Sequence, residues 1–486
     1  MKLLAVCLAV AAMPVFGHVG SPDVFFEGNA GPYRLLITIR PPQVVPGVAE
    51  IEIRSASPDV RQIHVVPLRL GFKGAQFAPV PDTAQRSRED PQFYTGVLWL
   101  MTTGSWQVRV DVDGAEGPGR LSVPVPALAT RVARMQTAMA AILIPLALVL
   151  SLGLVSLAGA AVRDATLEPG KQPEPARVRR SRIVMLGTAV LVAAAVWFGN
   201  NWWSSEAGFY SRIIFKPLQL KTTLQDGSRL LLELEDPGWL NRRTDDLLPD
   251  HNHLMHLYAI RLPEMDMVWH LHPERSGDGN FEQRLPAMPA GRYALYGDVV
   301  HANGLGETAI AEIELPPIAG APLMGDDAAG IGPPVTNADP TRTVSPLAGG
   351  YRMVWEPGSA GGLAAGAIGN LRARQPYEFR FRLEDGQGKP ADGVELYMGM
   401  LGHAAFVSVD RGVFAHVHPS GSAPMPAIEL AQPENPHAGH MMPQSGLPAE
   451  VSFPYGFPKP GAYRIFVQMK RAGEIETGVF DAEVKP

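Results

Sequence analysis

Two histidine patterns of the same design recur in the second half of this chain. In each, a single histidine lies 13 or 14 residues ahead of a His-x-His-Pro motif; the histidines are His256, His270 and His272 in the first copy and His403, His416 and His418 in the second. Alternate residues of a β-strand share one face, so each His-x-His presents two imidazoles together. Three imidazoles that converge are a ligand set for copper, zinc, iron or nickel.

A β-hairpin in the first copy brings its third histidine to the pair. When His256–Arg261 pairs with Met267–His272, His256 lies opposite His272 and His270 lies on the same face. The predicted site therefore contains all three rings on one side of the hairpin.

In the second copy, a two-residue turn at Asp410 and Arg411 sets His403 opposite His418, with His416 alongside. The shorter turn compensates for the shorter spacing, so both copies give the same face. A slip of one residue in either hairpin would move one strand's side chains to the opposite face.

Methionines near the motifs favour copper over zinc. Met398 and Met400 lie just ahead of His403, and thioether sulfur is a soft ligand that suits Cu(I). A His/Met-rich segment, 437–442, adds a candidate for weak metal capture. The alternative is that the methionines are packing residues and the histidine hairpins are held by hydrogen bonds.

The amino-terminal region predicts a further metal site. Met1–Gly17 has a lysine followed by an apolar run and a small residue, which is typical of a secretory signal peptide. Cleavage after Gly17 would make His18 the mature amino terminus, where the α-amine and the imidazole can chelate one Cu(II). His64 would supply the remaining nitrogen.

Two further apolar segments predict transmembrane helices. Met135–Val162 and Ile183–Trp203 are uncharged runs of 28 and 21 residues, and about 20 residues cross a bilayer. The loop Arg163–Arg182 carries six basic residues against three acidic ones, which predicts a cytoplasmic position. We therefore expect a protein of a bacterial inner membrane with its large domains in the periplasm. The single cysteine, Cys7, lies in the leader, so thiolate ligands are excluded from the mature chain.

The remainder of the chain predicts a mainly β protein with three immunoglobulin-like β-sandwich domains. High glycine and proline content (50 and 46 residues) favours short strands joined by turns. A glycine, one residue and then an aromatic begin a late strand in each domain, at Gly104, Gly291 and Gly461. The predicted domains are residues 18–127, 209–316 and 347–486, with a linker at residues 317–346.

The second and third domains resemble bacterial exported proteins with YtkA-like or copper-resistance-type β-sandwich domains. The resemblance depends on residues 397–403, on Phe414–Pro419 and on the Pro460–Tyr463 corner, with residues 249–256 and Trp269–Pro273 as a diverged copy. It implies a periplasmic location and copper handling, without a defined reaction.

These observations predict a membrane-anchored metal-binding protein that acts in copper homeostasis or in delivery to a protein partner that receives the metal. Zinc is the alternative metal. Two other function classes stay open: a structural or partner-docking membrane protein, and a metalloenzyme with three histidine ligands. No His-Glu-x-x-His motif is present, so we predict no enzyme activity. The net charge of −6 gives no basis for nucleic-acid binding.

Overall fold

The protein is described here from a computed structural model. It describes residues 23–71, 78–133, 135–356, 364–365, 369–433 and 446–486. The predicted signal peptide, His18 and the segment 437–442 lie outside these residues. The described residues form two compact units: one contains those up to residue 130 and those from 215 onward, and the other contains those between 131 and 214. The fold is mainly β, with immunoglobulin-like sandwich domains and two long apolar helices, as the sequence predicts.

The first domain is a sandwich of two antiparallel sheets. One sheet has the order β1-β2-β3-β7-β6 and the other β5-β4-β8-β9. Their inward residues, including Ile37, Ile51 and Val108, are fully buried because hydrophobic and polar residues alternate along these strands. The strands are β1 (Val24–Ala30), β2 (Tyr33–Arg40), β3 (Gly47–Ser55), β4 (Val60–Arg69), β5 (Asp82–Thr83), β6 (Gln85–Arg86), β7 (Phe93–Leu100), β8 (Gly104–Gly114) and β9 (Gly117–Ala127).

The middle domain is built from one sheet whose strands enclose a shared core. Leucines of the early strands, such as Leu230 and Leu232, pack in one cluster with Leu257, Leu271 and Leu295 of the later strands. The strands are β10 (Gln219–Gln225), β11 (Arg229–Glu235), β12 (Leu247–Leu248), β13 (His256–Leu262), β14 (Met267–Leu271), β15 (Glu274–Gly277), β16 (Asn280–Arg284), β17 (Gly291–His301), β18 (Gly306–Leu315) and β19 (Ala328–Ile331).

The last domain is a second two-sheet sandwich around an aromatic core that contains Trp355, Phe379 and Phe406. The strands are β20 (Val344–Pro346), β21 (Arg352–Glu356), β22 (Ala364–Ala365), β23 (Tyr377–Glu384), β24 (Val394–Glu395), β25 (His403–Ser408), β26 (Phe414–Val417), β27 (Glu450–Tyr455), β28 (Gly461–Arg471) and β29 (Glu474–Val484). A short helix, Met425–Ala431, follows β26, and 3₁₀ turns occur at Val335–Asn337 and Ala348–Gly350.

The three predicted glycine–aromatic corners have the same construction. Each glycine begins its strand at positive φ, where the absence of a Cβ avoids strain. The aromatic two residues later donates a hydrogen bond to the carbonyl four residues upstream of itself: Trp106 to Thr102 at 2.9 Å, Tyr293 to Pro289 at 2.7 Å and Tyr463 to Lys459 at 2.8 Å. This repeated tie fixes the start of β8, β17 and β28.

The middle and last domains pack sheet against sheet, which buries both faces of the histidine strands. Leu257 and Ala259 of β13 enter the core of the middle domain, whereas Tyr258 and Ile260 form a cluster with Val407 and other residues of the last domain. The strand β25 behaves in the same way. Both faces of these strands are dry because the sheet of the neighbouring domain covers the second face.

A buried arginine ties the two domains together at this interface. Arg464 is fully buried, and its guanidinium pairs with Asp481 at 2.6 Å. It also donates hydrogen bonds to the carbonyls of Met265 and Pro333, both in the preceding part of the chain. The charge is compensated on every side, as burial requires.

The predicted linker, residues 317–346, differs from the expectation. Its residues Ala328–Ile331 form β19, which pairs with β14 opposite Met267–His270, and β20 pairs with β21. Composition indicated a loose segment because glycine, alanine and proline dominate it. Small residues are required here since a side chain at Gly330 would collide with Thr477 of the last domain.

The second unit is a pair of helices, α1 (Thr137–Asp164) and α2 (Pro175–Ile213), each long and apolar enough to cross a membrane. They pack through a close contact at Gly159, whose carbonyl accepts a 2.7 Å hydrogen bond from the Ser181 hydroxyl. The segment between α1 and α2 is shorter than the predicted loop Arg163–Arg182. The arginine-rich second half of that predicted loop forms the first turns of α2. The second helix also extends beyond the predicted Trp203.

Candidate metal centre

Eight of the ten histidines that the structure describes gather between the facing sheets of the middle and last domains. They are linked by ring-to-ring contacts with centroids 4.0 to 6.3 Å apart. The members are His251, His253, His256, His270, His272, His403, His416 and His418. Two sets of three each bring one ring nitrogen per residue within 4.8 Å of the others. We refer to His256, His270 and His272 as the 256 group, and to His251, His403 and His418 as the 403 group.

The 256 group has the predicted membership and register. Leu257 pairs with Leu271 and Tyr258 with His270, a register that puts His256 opposite His272. The three ring centroids lie 5.3, 5.0 and 4.6 Å apart. The rings are therefore on one face and close enough to share one ion.

Hydrogen bonds around the 256 group fix which ring nitrogens carry protons. The Nε2–H of His256 donates to the carbonyl of Asp250 at 3.1 Å, and the Nδ1–H of His270 donates to Gln468 Oε1 at 2.8 Å. The Nδ1 of His272 lies 3.0 Å from Asp327 Oδ1. Each ring thus directs one proton outward to an acceptor, the arrangement by which ligating histidines are oriented.

The inward nitrogens of the 256 group then carry lone pairs that face each other. His256 Nδ1 and His270 Nε2 are 3.1 Å apart, and neither has a proton to share between them. The Nε2 of His272 is buried and has no hydrogen-bond partner among the described residues. A cation at the centre of the group would satisfy all three lone pairs.

The 403 group draws its ligands from both domains. His403 and His418 come from the second hairpin, whose register, with Ala404 opposite Val417, sets them across from each other as predicted. Their ring centroids are 5.0 Å apart, and each is 4.9 Å from the ring of His251. His251 belongs to the middle domain, so the isolated last domain lacks one of the three rings.

A tight turn delivers His251 to this group. The residues His251 and Asn252 have φ values of 48° and 71°, and Asp250 and His253 exchange two backbone hydrogen bonds across them. Positive φ at both central residues is what a type I′ turn requires, and it costs energy for a histidine. The turn places the ring of His251 in the 403 group. It places the ring of His253 beside the 256 group, with its centroid 4.0 Å from that of His272.

His403 is the most unusual side chain of the cluster. It is fully buried, and among the described residues neither ring nitrogen has a hydrogen-bond partner. Burial of such a ring without partners costs roughly 1–3 kcal/mol per polar group. The pKa of His403 lies well below its ordinary value because of desolvation and the neighbouring imidazoles. A neutral ring, in which one nitrogen has a free lone pair, is the form that binds a metal.

The same cause lowers the pKa values of the 256 group. Desolvation and adjacent imidazoles hold the pKa of His256 and of His270 well below 6.5. The pKa of His272 is also lowered by burial, although Asp327 opposes the shift. At neutral pH these imidazoles are unprotonated and free to coordinate a cation.

Carboxylates surround the cluster at its edges. Asp298 lies 3.5 Å from His416, Asp326 lies 3.2 Å from His253, and Asp250 lies 3.6 Å from His251. Burial raises the pKa of Asp250 to about 7. The carboxylates of Asp298 and Asp326 suit a cluster that gains positive charge on binding ions.

The other predicted ligands lie elsewhere or at the margin. His416 is in the cluster, with its ring 4.7 Å from His418 and 5.4 Å from His403, although His251 takes the third place in the 403 group. Met400 is buried in the hydrophobic cluster of the first domain, and Met398 is half-buried in the turn before β25. The packing of Met400 removes part of the sequence argument for a soft metal.

His64 lies on β4 of the first domain, where its Nδ1 is 3.2 Å from Thr83 Oγ1. His18, its predicted partner, is outside the described residues, so the amino-terminal copper site stays a prediction. His301 is buried between Asp246 and Glu307, whose carboxylates each contact one of its ring nitrogens.

Sequence reasoning left the role of His251 and His253 open and missed Asp327 and Gln468. The signal for the turn was present, because Asp250-His-Asn-His253 is rich in residues that tolerate positive φ. Asp327 lies in the predicted linker, residues 317–346. Gln468 lies 198 residues from His270, a separation at which no local pattern applies.

Comparisons with known proteins add little on function. Residues 359–486 match the profile of a domain of unknown function, DUF8832, which covers the last domain only. No curated protein matches the chain.

Solved structures of similar outline are distant. The Salmonella alpha-2-macroglobulin reacted with methylamine aligns over 99% of this chain and 24% of its own, at 9% identity and a TM-score of 0.18. Dimeric latent PorU from Porphyromonas gingivalis aligns over 96% and 34%, at 7% identity and a TM-score of 0.15. The ICAM-5 D1-D4 ectodomain fragment aligns over 93% and 77%, at 9% identity and a TM-score of 0.16. The chain thus spans about a quarter of the alpha-2-macroglobulin that it matches.

Proposed function

We propose that this chain is a membrane-anchored metal-binding protein that holds copper in the histidine cluster between its middle and last domains. Its role would be copper homeostasis or delivery to a protein partner that receives the metal. The observation that carries the proposal is the convergence of two sets of three buried imidazoles, each within 4.8 Å, in a chain whose only cysteine lies in the predicted leader.

The protonation pattern supports binding of a metal over a hydrogen-bonded hairpin. A hairpin stabilised by histidine hydrogen bonds would pair each ring nitrogen with a donor or an acceptor. Here His403 has neither among the described residues, and His256 and His270 direct lone pairs at each other. Both features are costly without a cation and favourable with one.

The ligand set supports copper as the metal. All-nitrogen sites follow the Irving–Williams order, in which Cu²⁺ binds most tightly among the divalent first-row metals. Zinc accepts the same three imidazoles and is the alternative. Met398 remains a candidate soft ligand on the turn beside His403.

The two apolar helices support anchoring in a bilayer, and the basic residues between and within them support a cytoplasmic connection. The β domains would then face the periplasm of a bacterial inner membrane. An activity reporter fused after Pro486 tests this arrangement; activity of that reporter in the cytoplasm alone would contradict it.

Copper analysis of the full-length protein tests the metal assignment. The protein, purified in detergent without a histidine tag, is incubated with copper or zinc, freed of excess metal and analysed by mass spectrometry. We expect about two copper ions per chain in the cluster, because the structure contains two groups. Retention of neither metal by a correctly folded protein would mean that the histidines are structural.

Paired variants separate the two groups. His256→Ala with His270→Ala should remove one ion, and His403→Ala with His418→Ala should remove the other. Met398→Leu is the matched control for thioether ligation, since it retains size while it removes the sulfur. Copper content that is unchanged in both paired variants would contradict the proposal.

A further inference from the structure

One histidine of the cluster belongs to neither group yet contacts both. The ring of His416 lies 5.1 Å from His256 and 5.5 Å from His270 on one side. On the other side it lies 5.4 Å from His403 and 4.7 Å from His418. Its Nε2 is buried and has no hydrogen-bond partner among the described residues, while its Nδ1 lies 3.5 Å from Asp298. The ring of His416 is therefore placed to ligate an ion in either group.

The two groups are also adjacent without His416. The rings of His251 and His256, one from each group, are 6.3 Å apart. Ions held about 2 Å from the ligand nitrogens of the two groups would therefore be neighbours, and in known two-metal sites the paired ions lie roughly 3.5–4 Å apart. Two independent metal-carrying sites, one on each domain, would not require the two groups to lie so close together.

A cavity reaches the cluster beside His416. Its volume is about 150 Å³, enough for a few small molecules, and its wall includes His256, His416 and His418 together with Asp250 and Asp298. Its other side is formed by mainly apolar residues of the first domain, among them Trp106. Residues of all three β domains thus enclose a small space against the histidines that join the groups.

We infer that the two groups form one binuclear centre, in which His416 lies between two metal ions and the cavity admits a small exogenous ligand, such as hydroxide or azide, that bridges them. The inference rests on the proposed metal binding and makes it more specific. Three-histidine coordination leaves a position open on each ion, which is the feature that lets a ligand other than protein enter.

Electron paramagnetic resonance of the copper-loaded, oxidised full-length protein tests the binuclear centre. Two Cu(II) ions that share a bridging ligand couple their spins, so the spin count falls far below the copper count measured on the same sample. Once weakly held copper is removed, we expect two ions per chain and a largely silent spectrum. Two ions with a full-intensity signal, or a single ion per chain, would overturn the binuclear centre and leave the proposed copper binding intact; absence of copper would overturn both.

The contribution of His416 is tested by its removal. His416→Ala should raise the spin count per copper, because loss of the ring between the groups loosens the hold on the two ions and weakens their coupling through the bridging ligand. The matched control is His253→Ala, which removes a histidine at the edge of the cluster whose ring contacts there are with His256 and His272 of one group. A silent spectrum in a folded His416→Ala protein with two ions would overturn the role of His416. If this variant does not fold, the wild-type spectrum alone tests whether the binuclear centre exists.

Azide serves as the probe for the cavity. Added to the oxidised copper form, it should produce a ligand-to-metal charge-transfer absorption band with saturable dependence on azide. A coupled centre that shows no azide band would overturn access through the cavity and leave the metal pair.

Discussion

The two histidine groups have the same ligands but differ in how the fold prepares them. All three ligands of the 256 group come from the middle domain, and their outward nitrogens bond to Asp250, to Asp327 and, across the interface, to Gln468, which fixes the tautomers. The 403 group is completed across a domain interface by His251, and the nitrogens of His403 have no such partner among the described residues. One group is preorganised by hydrogen bonds and the other by domain packing. Disturbance of the interface should therefore affect the 403 group first.

Acid should produce the largest effect on the metal-free protein. The folded pKa values of His256, His270 and His403 are well below 6.5 and that of His272 is lowered, so these rings stay neutral when folded and take up protons when unfolded. Stability is fully present above pH 6.5 and is lost as pH falls from 6.5 towards the folded pKa values. Each unit of depression corresponds to about 1.4 kcal/mol. Thermal unfolding in detergent from pH 8 to pH 5 measures the loss.

Single replacements compare the groups in the same experiment. His403→Asn should flatten the acid dependence more than His272→Asn, because Asp327 partly compensates protonation of His272. If stability falls with pH equally steeply in the two variants, the carboxylate of Asp327 does not distinguish the two groups. His301 has the opposite sign: burial opposes its charge, but Glu307 and Asp246 raise its pKa, so its contribution is present below pH 6.5 and lost as pH rises through the folded value.

Removal of the interface arginine should separate the groups by affinity. Arg464→Ala leaves Asp481 buried without its main partner, which typically costs about 3–5 kcal/mol. Copper at the 403 group should weaken more than copper at the 256 group, as followed by titration with the other group removed. Lys459→Ala is the control, since its pair with Asp410 is exposed and contributes about 1 kcal/mol or less. If Arg464→Ala lowers the copper affinity of both groups equally, the 403 group does not depend on domain packing more than the 256 group does.

Loss of a second-sphere carboxylate should weaken the 256 group selectively. Asp327→Ala removes the acceptor of His272 Nδ1, and such changes lower metal affinity about 10–100-fold. The adjacent Asp326→Ala is the matched control, because its carboxylate contacts His253 and none of the 256 group. A competition titration against a chromogenic chelator measures both; an Asp327→Ala affinity equal to that of the control would remove the second-sphere argument.

The hairpin registers could be predicted from the sequence, whereas the meeting of the two hairpins could not. The positions of His256 and His272 follow from strand alternation and turn length, which are local. The third member of the 403 group, His251, reaches its place only through the packing of two sheets, because it lies 152 residues before His403 in the sequence. Fully apolar runs such as Leu257–Ile260 were the available signal that both strand faces are buried.

The smallest effect is expected at the first domain. If cleavage follows Gly17, His18 and His64 should hold a third, weaker Cu(II), which His64→Ala would release without change to the ions in the cluster. Isothermal titration resolves the weak phase, and mass spectrometry establishes the amino terminus. A mature chain that begins at any residue other than His18 would remove this site.

Anomalous diffraction at the copper edge, from crystals of the copper-loaded full-length protein, tests the central claim most directly. The account predicts two peaks between the middle and last domains, one about 2 Å from nitrogens of His256, His270 and His272. The other should lie at the same distance from nitrogens of His251, His403 and His418. Peaks elsewhere, or rings that are hydrogen-bonded to one another without a peak between them, would contradict it.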